Sequence, residues 1–400
     1  MSSTSWLLKA ANVIASRTSP RQERWYDVDR RLERARLPQG TEPFGEAPVR
    51  DGLAMLLDDL RQAPLSPLGA RVARDLVGTY LAMRRKTAET IERQTGLLDQ
   101  SLHPPLIVLG LPRTGTTYLH RLLAEDPAHR AMAMWEWFPV RPVGTPANEL
   151  QSQRRSVRVM AWLRSRMDRD IDRKHFIRGD LPEECMWGLG VTFQSLVYWM
   201  LAPVYTYAHW YARQSRHQKY VEYRWLLQLL QSTTPDLRLT LKAPAHLDAV
   251  DAILTSIPDA LLVQTHRDPL ACVPSMASLT VSSQQVLVET NNLERVGRTT
   301  VDLARVGLER NAEDRAMHPD AVHDVLYDDL VRDPIGTVQA IYERFGLPMT
   351  DAFEHRLRAH VAANPKHRRG AHTYDLRDYG LSAGELAELF RGYRESYDLI

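Results

Sequence analysis

The chain has 400 residues, 44% hydrophobic and 25% charged, a composition that can bury a core and that argues against a fibrous or disordered protein. Its net charge of +2 argues against a dedicated nucleic-acid binder. The two cysteines, Cys185 and Cys272, lack metal-binding or redox spacing, make no disulfide scaffold and read as buried packing residues.

The opening residues show no basic region followed by a sustained apolar one, so a cytoplasmic location is expected. Residues 1–100 read as a charged helical region, with helical periodicity clearest from Leu68 to Gln94. Pro104 and Pro105 end it. The run LIVLG, Leu106 to Gly110, suits a central parallel strand, and LPRTGTTYLHRLLAEDP then gives a turn and a helix stopped at Pro127.

The interval from Met132 to Pro235 is mostly helical by composition. Between Arg154 and Arg178 it is crowded with arginine, offset by Asp168, Asp170 and Asp172. That pattern fits a solvated helix face, or a surface that attracts an anionic ligand or lipid. The uncharged segment from Cys185 to Ala208 is diluted by Thr192, Gln194, Ser195 and Pro203, and reads as buried helix or pocket wall in preference to a membrane span.

Further strands are expected over Leu237–Lys242, Ala260–His266 and Val322–Tyr327, with helices over His246–Ser256 and Pro334–Phe345. Ser382 to Glu385 forms a capping box that opens a last helix reaching about Tyr393. Alternating strands and helices predict an α/β fold: a central parallel sheet flanked by helices, a P-loop-like nucleotide fold with helical additions. The expected organisation is a helical region over 1–100, a nucleotide-binding domain over 101–380 with a helical insertion at about 140–235, and a C-terminal helix in 381–400 packing on the same domain.

The segment Gly110 to Thr117 carries the chemistry. Two glycines, Gly110 and Gly115, bracket a tight turn whose N–H groups can face an anion. The helix that follows adds unpaired N–H groups and a positive dipole end. Thr114, Thr116 and Thr117 offer hydroxyls, and Arg113 offers a fork matched to phosphate or sulfate oxygens. A nucleotide triphosphatase loop would place lysine where Thr116 stands, and the dinucleotide fingerprint GxGxxG is absent.

LPRTGTTYLHRLL resembles the 5'-phosphosulfate loop of the sulfotransferases that use 3'-phosphoadenosine 5'-phosphosulfate, PAPS, with arginine as in the bacterial branch. QTHRDPLACVPSMASL resembles that family's 3'-phosphate strand and helix, with Arg267 and Ser275 at the family's spacing. LKAPAHL and HRRGAHTYDLRDYGL are similar to two further segments, which implies Lys242 near the transferring group and Arg368, Arg369 and Gly370 closing over the 3'-phosphate. Tyr327 to Leu330 is similar to another recurring segment, taken as structural.

The resemblance covers roughly residues 104–380. It implies sulfuryl transfer from PAPS, without a metal, to the hydroxyl of a small, apolar, aromatic or lipid-like acceptor, leaving 3',5'-adenosine bisphosphate. Arg113, Thr114, Gly115, Thr116 and Thr117 would hold the 5' end of the donor. Arg113 and Lys242 would stabilise the developing charge. The base is Glu136, set between Trp135 and Trp137, or His246, near the position where the cytosolic enzymes carry their histidine. Nucleic acid is not an expected partner, and peripheral membrane contact, though not expected, is left open. The alternatives are a P-loop-like kinase or ATPase and a non-catalytic nucleotide-fold binding module.

Overall fold

The computed structural model describes residues 12, 13, 15, 23–36, 47–94, 96–141, 143–167, 177–364 and 375–399. Five strands form one sheet in the order β2-β3-β1-β4-β5, where β1 is Leu106–Gly110, β2 His129–Ala131, β3 Arg238–Lys242, β4 Leu261–His266 and β5 Val322–Leu326. Every pairing is parallel. All five residues of β1 are buried, because helices cover both faces of the sheet and leave no side for polar residues. The strands expected from the sequence lie within one residue of those observed. The short edge strand β2 was not expected, since three residues reading His-Arg-Ala carry no period.

In the N-terminal region, α1 (Val28–Ala35), α2 (Ala47–Gln62) and α3 (Pro67–Arg93) pack into the larger of two buried clusters. The α3 residue Tyr80 meets Tyr198 edge-on with ring centroids 5.4 Å apart. Five turns of α3 beyond the Ser66 cap, Arg84 is fully buried and grips Glu222 through two bonds of 2.6 and 3.0 Å, while Nη1 also donates to the Val191 carbonyl.

After β1, α4 (Thr116–Leu123) covers the smaller cluster, and α5 (Ala147–Met167) follows β2. The uncharged segment folds into short helices, Met186–Leu189 and Val197–Leu201, before α6 (Tyr205–Arg213) and α7 (His217–Gln231). Most of its residues are buried, including Trp187, Val197, Tyr198 and Tyr207, so it is a core wall, and no described helix is long and apolar enough to cross a membrane. Both cysteines are buried, and burial pushes each thiol up to about 12.

The helix expected over His246–Ser256 is divided. A 3-10 turn over Pro244–Ala249 leads into Val250–Ser256, with a break at Asp248. On the far edge, α8 (Pro269–Gln284) and α9 (Leu293–Met317) precede β5, and α10 (Pro334–Phe345) follows it. At the C-terminus Ser382 caps Ala383–Leu389 as the capping box implies, but Phe390 leaves helical geometry to bury its ring, and the helix resumes at Arg391–Ser396.

Removing one partner of the Arg84–Glu222 pair strands a buried charge. Glu222→Ala is expected to lower unfolding free energy in urea by about 3–5 kcal/mol, while the double variant Arg84→Met/Glu222→Leu recovers most of that loss.

Candidate functional site

The site begins where β1 runs out. Gly110 adopts φ 143°, and a Cβ there would stand 2.6 Å from the Thr265 carbonyl oxygen of neighbouring β4, so only glycine fits. The register places Gly110 opposite Thr265, and the two strands are fastened just beyond. Thr114 donates its hydroxyl to the Leu111 carbonyl at 2.7 Å, and its oxygen lies 2.6 Å from the Thr265 hydroxyl. Thr114 is fully buried, so this hydroxyl closes the loop from inside.

Arg113 has φ 78°, left-handed geometry that is uncommon for a residue with a Cβ. Two distant residues hold it. Its Nε donates to Ser275 Oγ at 3.0 Å, and its carbonyl accepts from Arg267 Nη1 at 3.1 Å. The loop after β1, the end of β4 and the second turn of α8 therefore converge on one point. The Arg267 guanidinium also lies over the Tyr327 ring, 4.2 Å from its centroid, and that ring packs beside Gly115.

Gly115, at φ 95°, starts α4 with no side-chain cap. The first-turn N–H groups, those of Thr116 and Thr117 among them, are left for a ligand, as at other anion-binding helix starts. The sequence-predicted residues Arg113, Gly115, Thr116, Thr117, Arg267 and Ser275 thus surround one end of the sheet. Arg368, Arg369 and Gly370 lie outside the described residues.

Lys242, at the end of β3, connects this loop to the acceptor side. It is almost fully buried, and Nζ donates to Thr117 Oγ1 at 3.2 Å and to Glu184 Oε1 at 2.6 Å. Glu184 in turn lines a cavity of about 130 Å³. Its other walls are mainly apolar: Leu111 and Pro112 from the loop, Trp187, Trp199 and Met200 from the uncharged segment, Leu247 after β3, and Met276 from α8. A ring or a short alkyl chain fits such a space, and apolar cavities of this order hold one.

The two bases read from the sequence are placed elsewhere. Glu136 Oε1 accepts from Arg130 Nη2 at 2.6 Å, and Oε2 accepts the Ala133 N–H at 2.8 Å, capping its own turn Met134–Trp137. It is not among the residues lining the cavity. His246 is fully buried, its Nδ1 2.7 Å from the Tyr220 hydroxyl and its ring against Tyr220 and Tyr223. Burial, then the charges of Lys219 and Lys242, push its pKa down to about 3, so the imidazole is neutral at physiological pH. His246 is likewise absent from the cavity wall.

Glu184 was missed. Its signal was the pair Glu183-Glu184 directly before the uncharged run, the last charges before two dozen residues without one. Among the described residues, no group of three or more His, Cys, Asp or Glu side chains is placed to hold a metal ion.

A family model described as "Sulfotransferase family" matches residues 104–351. The omega-hydroxy-beta-dihydromenaquinone-9 sulfotransferases Stf3 of Mycobacterium bovis and Mycobacterium tuberculosis are each 25% identical to the chain over 311 residues, 72% of either sequence. Among solved structures, sulfotransferase STF1 from Mycobacterium tuberculosis H37Rv superposes with a TM-score of 0.77 at 32% identity, covering 92% of this chain and 98% of that one. STF9 from Mycobacterium avium gives 0.79 at 27%, covering 93% and 96%.

A methyl group at Gly110 would force β1 and β4 apart where the loop is fastened. Gly110→Ala is expected to cost at least about 2 kcal/mol, read as a lower urea midpoint at unchanged slope.

Proposed function

The chain belongs to the sulfotransferase family, and on that premise we propose that it moves the sulfuryl group of PAPS to the hydroxyl of a small apolar acceptor seated in the cavity beside Glu184. The observation that carries this reading is the convergence of Arg113, Ser275 and Arg267 at the end of β1, with Lys242 bridging from there to the cavity.

The donor's 5' end fits the uncapped start of α4 and Arg113, and its 3'-phosphate fits Arg267 and Ser275. In the transfer, the acceptor oxygen forms a bond to sulfur as the bond from sulfur to the 5'-phosphate oxygen breaks. The electron pair leaves with 3',5'-adenosine bisphosphate, and the acceptor's proton passes to Glu184. Lys242, Arg113 and the first-turn N–H groups face the charge that grows on the leaving oxygen. Arg267 lies on an aromatic face, and beyond the Nη1 bond to the Arg113 carbonyl its guanidinium has further N–H donors to offer oxygens.

Geometry supports Glu184 as the base over Glu136 and His246, because a base must reach the acceptor's proton and Glu184 is the carboxylate shared by Lys242 and the cavity. Lys242 pairs with that carboxylate. An arriving phosphosulfate competes for the ammonium and releases Glu184 toward the acceptor. For the acceptor, the apolar walls favour a hydroxylated apolar molecule, the class to which the omega-hydroxy compound in the relatives' name belongs.

Two experiments test the proposal. Calorimetry is expected to detect 3',5'-adenosine bisphosphate binding without Mg²⁺, weakened about 10- to 100-fold by Arg113→Ala or Arg267→Ala. Magnesium-dependent ATP turnover with no such binding would overturn the reading. In mass-spectrometric transfer assays on acceptors found by screening, Glu184→Gln is expected to bind the bisphosphate normally and lose about 10²–10⁴-fold in kcat, and Glu136→Gln to keep most of it. The reverse result returns the base to Glu136.

A further inference from the structure

One surface of the molecule is used neither by the core nor by the site. Among the described residues, nine large hydrophobic side chains are exposed, and five of them, Val143, Val159, Met160, Trp162 and Leu163, lie on or just before α5. Their arrangement is regular. Gln153, Val157 and Ala161, four residues apart, form the buried seam. The seam is anchored: Gln153 Nε2 donates to the Trp135 and Pro139 carbonyls at 2.7 and 2.9 Å. On one flank Arg154 and Arg158 pair with Asp180.

The opposite face, by the same periodicity, carries Arg155, Val159, Trp162 and Arg166, with Leu163 one turn beyond Val159. Trp162 is 53% exposed, Val159 49% and Leu163 42%. A solvated helix face would not place its tryptophan and leucine outermost. The charge on this face has one sign. Arg155 and Arg166 are exposed, the Arg166 guanidinium lies 5.1 Å from the Trp162 ring, and Glu149 is the helix's lone acid.

We propose that α5 is a membrane-docking helix that lies in the surface of an anionic bilayer, with Trp162, Leu163 and Val159 entering the headgroup boundary and Arg155 and Arg166 meeting lipid phosphates. Apolar residues interleaved with arginines on one face are what an interfacial helix requires, and tryptophan prefers that boundary. Arginine stems lie along apolar surface while their heads reach the phosphates. The helix is too polar to span a bilayer, in keeping with docking at the surface.

The docked face has a route to the cavity. Through Gln153, α5 rests on Met134–Trp137 and Pro139, and Phe138 from that segment packs on the cavity-wall residue Trp187 with centroids 5.4 Å apart. The inference does not depend on the donor chemistry.

Sedimentation of the full chain with vesicles tests it. The native protein is expected to bind phosphatidylcholine vesicles containing phosphatidylglycerol, more weakly in high salt, and to bind pure phosphatidylcholine poorly. Trp162→Ser/Leu163→Ser is expected to lower vesicle affinity at least about tenfold, and Arg155→Glu/Arg166→Glu to remove the preference for anionic lipid. Circular dichroism and urea midpoints unchanged from native show that the variants fold. Absence of vesicle binding, or binding that both variants leave intact, overturns the proposal. So does a native dimer that Trp162→Ser/Leu163→Ser converts to monomer, because a second copy would then cover this face.

Discussion

Arg113 stands at φ 78°, and the donor half of the site depends on what keeps it there. A left-handed arginine costs about 1–3 kcal/mol and persists only where its surroundings over-determine it. Here a β4-end arginine takes its carbonyl, an α8 serine takes its Nε, and the Thr114–Thr265 contact holds the next residue down. The strain turns the guanidinium toward Ser275 and leaves the first turn of α4 open behind it. Because β1 lies between β3 and β4, its loop is the place where contributions from both neighbours meet, and open parallel sheets place ligands beyond the carboxyl ends of their strands for this reason.

The acceptor side is built on a different principle. Part of its wall comes from a stretch without a charged side chain, folded into short helices around aromatic contacts such as Tyr198 with Phe193 and Tyr80. The N-terminal helices contribute to this wall from behind: Arg84 reaches the Val191 carbonyl, and a Cβ on Gly190 would collide with the Tyr80 ring. Thus the first hundred residues, which carry no recognisable motif, help to set the shape of the region that faces the acceptor.

The sequence was most legible where the physics is local. Largely apolar runs marked β1, β3 and β4 almost to the residue, because a strand covered on both faces favours such a composition, whereas edge strand β5 is only partly buried. The family was legible too, through loop residues whose types answer to an anion. The surroundings of the two carboxylates were harder to read. Glu136 between two tryptophans looks desolvated and free in one dimension, yet Arg130, six residues earlier, folds back on it and the Ala133 N–H takes its second oxygen. Glu184 looks unremarkable in one dimension because what distinguishes it, Lys242, is 58 residues away. Edge strand β2 escaped for a related reason, since its three residues are extended by pairing with β3 and not by any pattern of their own.

Lys242 joins the two halves, and its burial has a consequence for how they work together. An ammonium withdrawn from water needs an anionic partner, and that partner is Glu184. Under the proposed chemistry the donor brings a second anion to the same ammonium through the loop that also positions Thr117. Lys242 then stands between the donor's charge and the carboxylate that faces the acceptor. This link follows from a shared charge and requires no moving domain, which suits a site whose parts are fixed to the ends of adjacent strands.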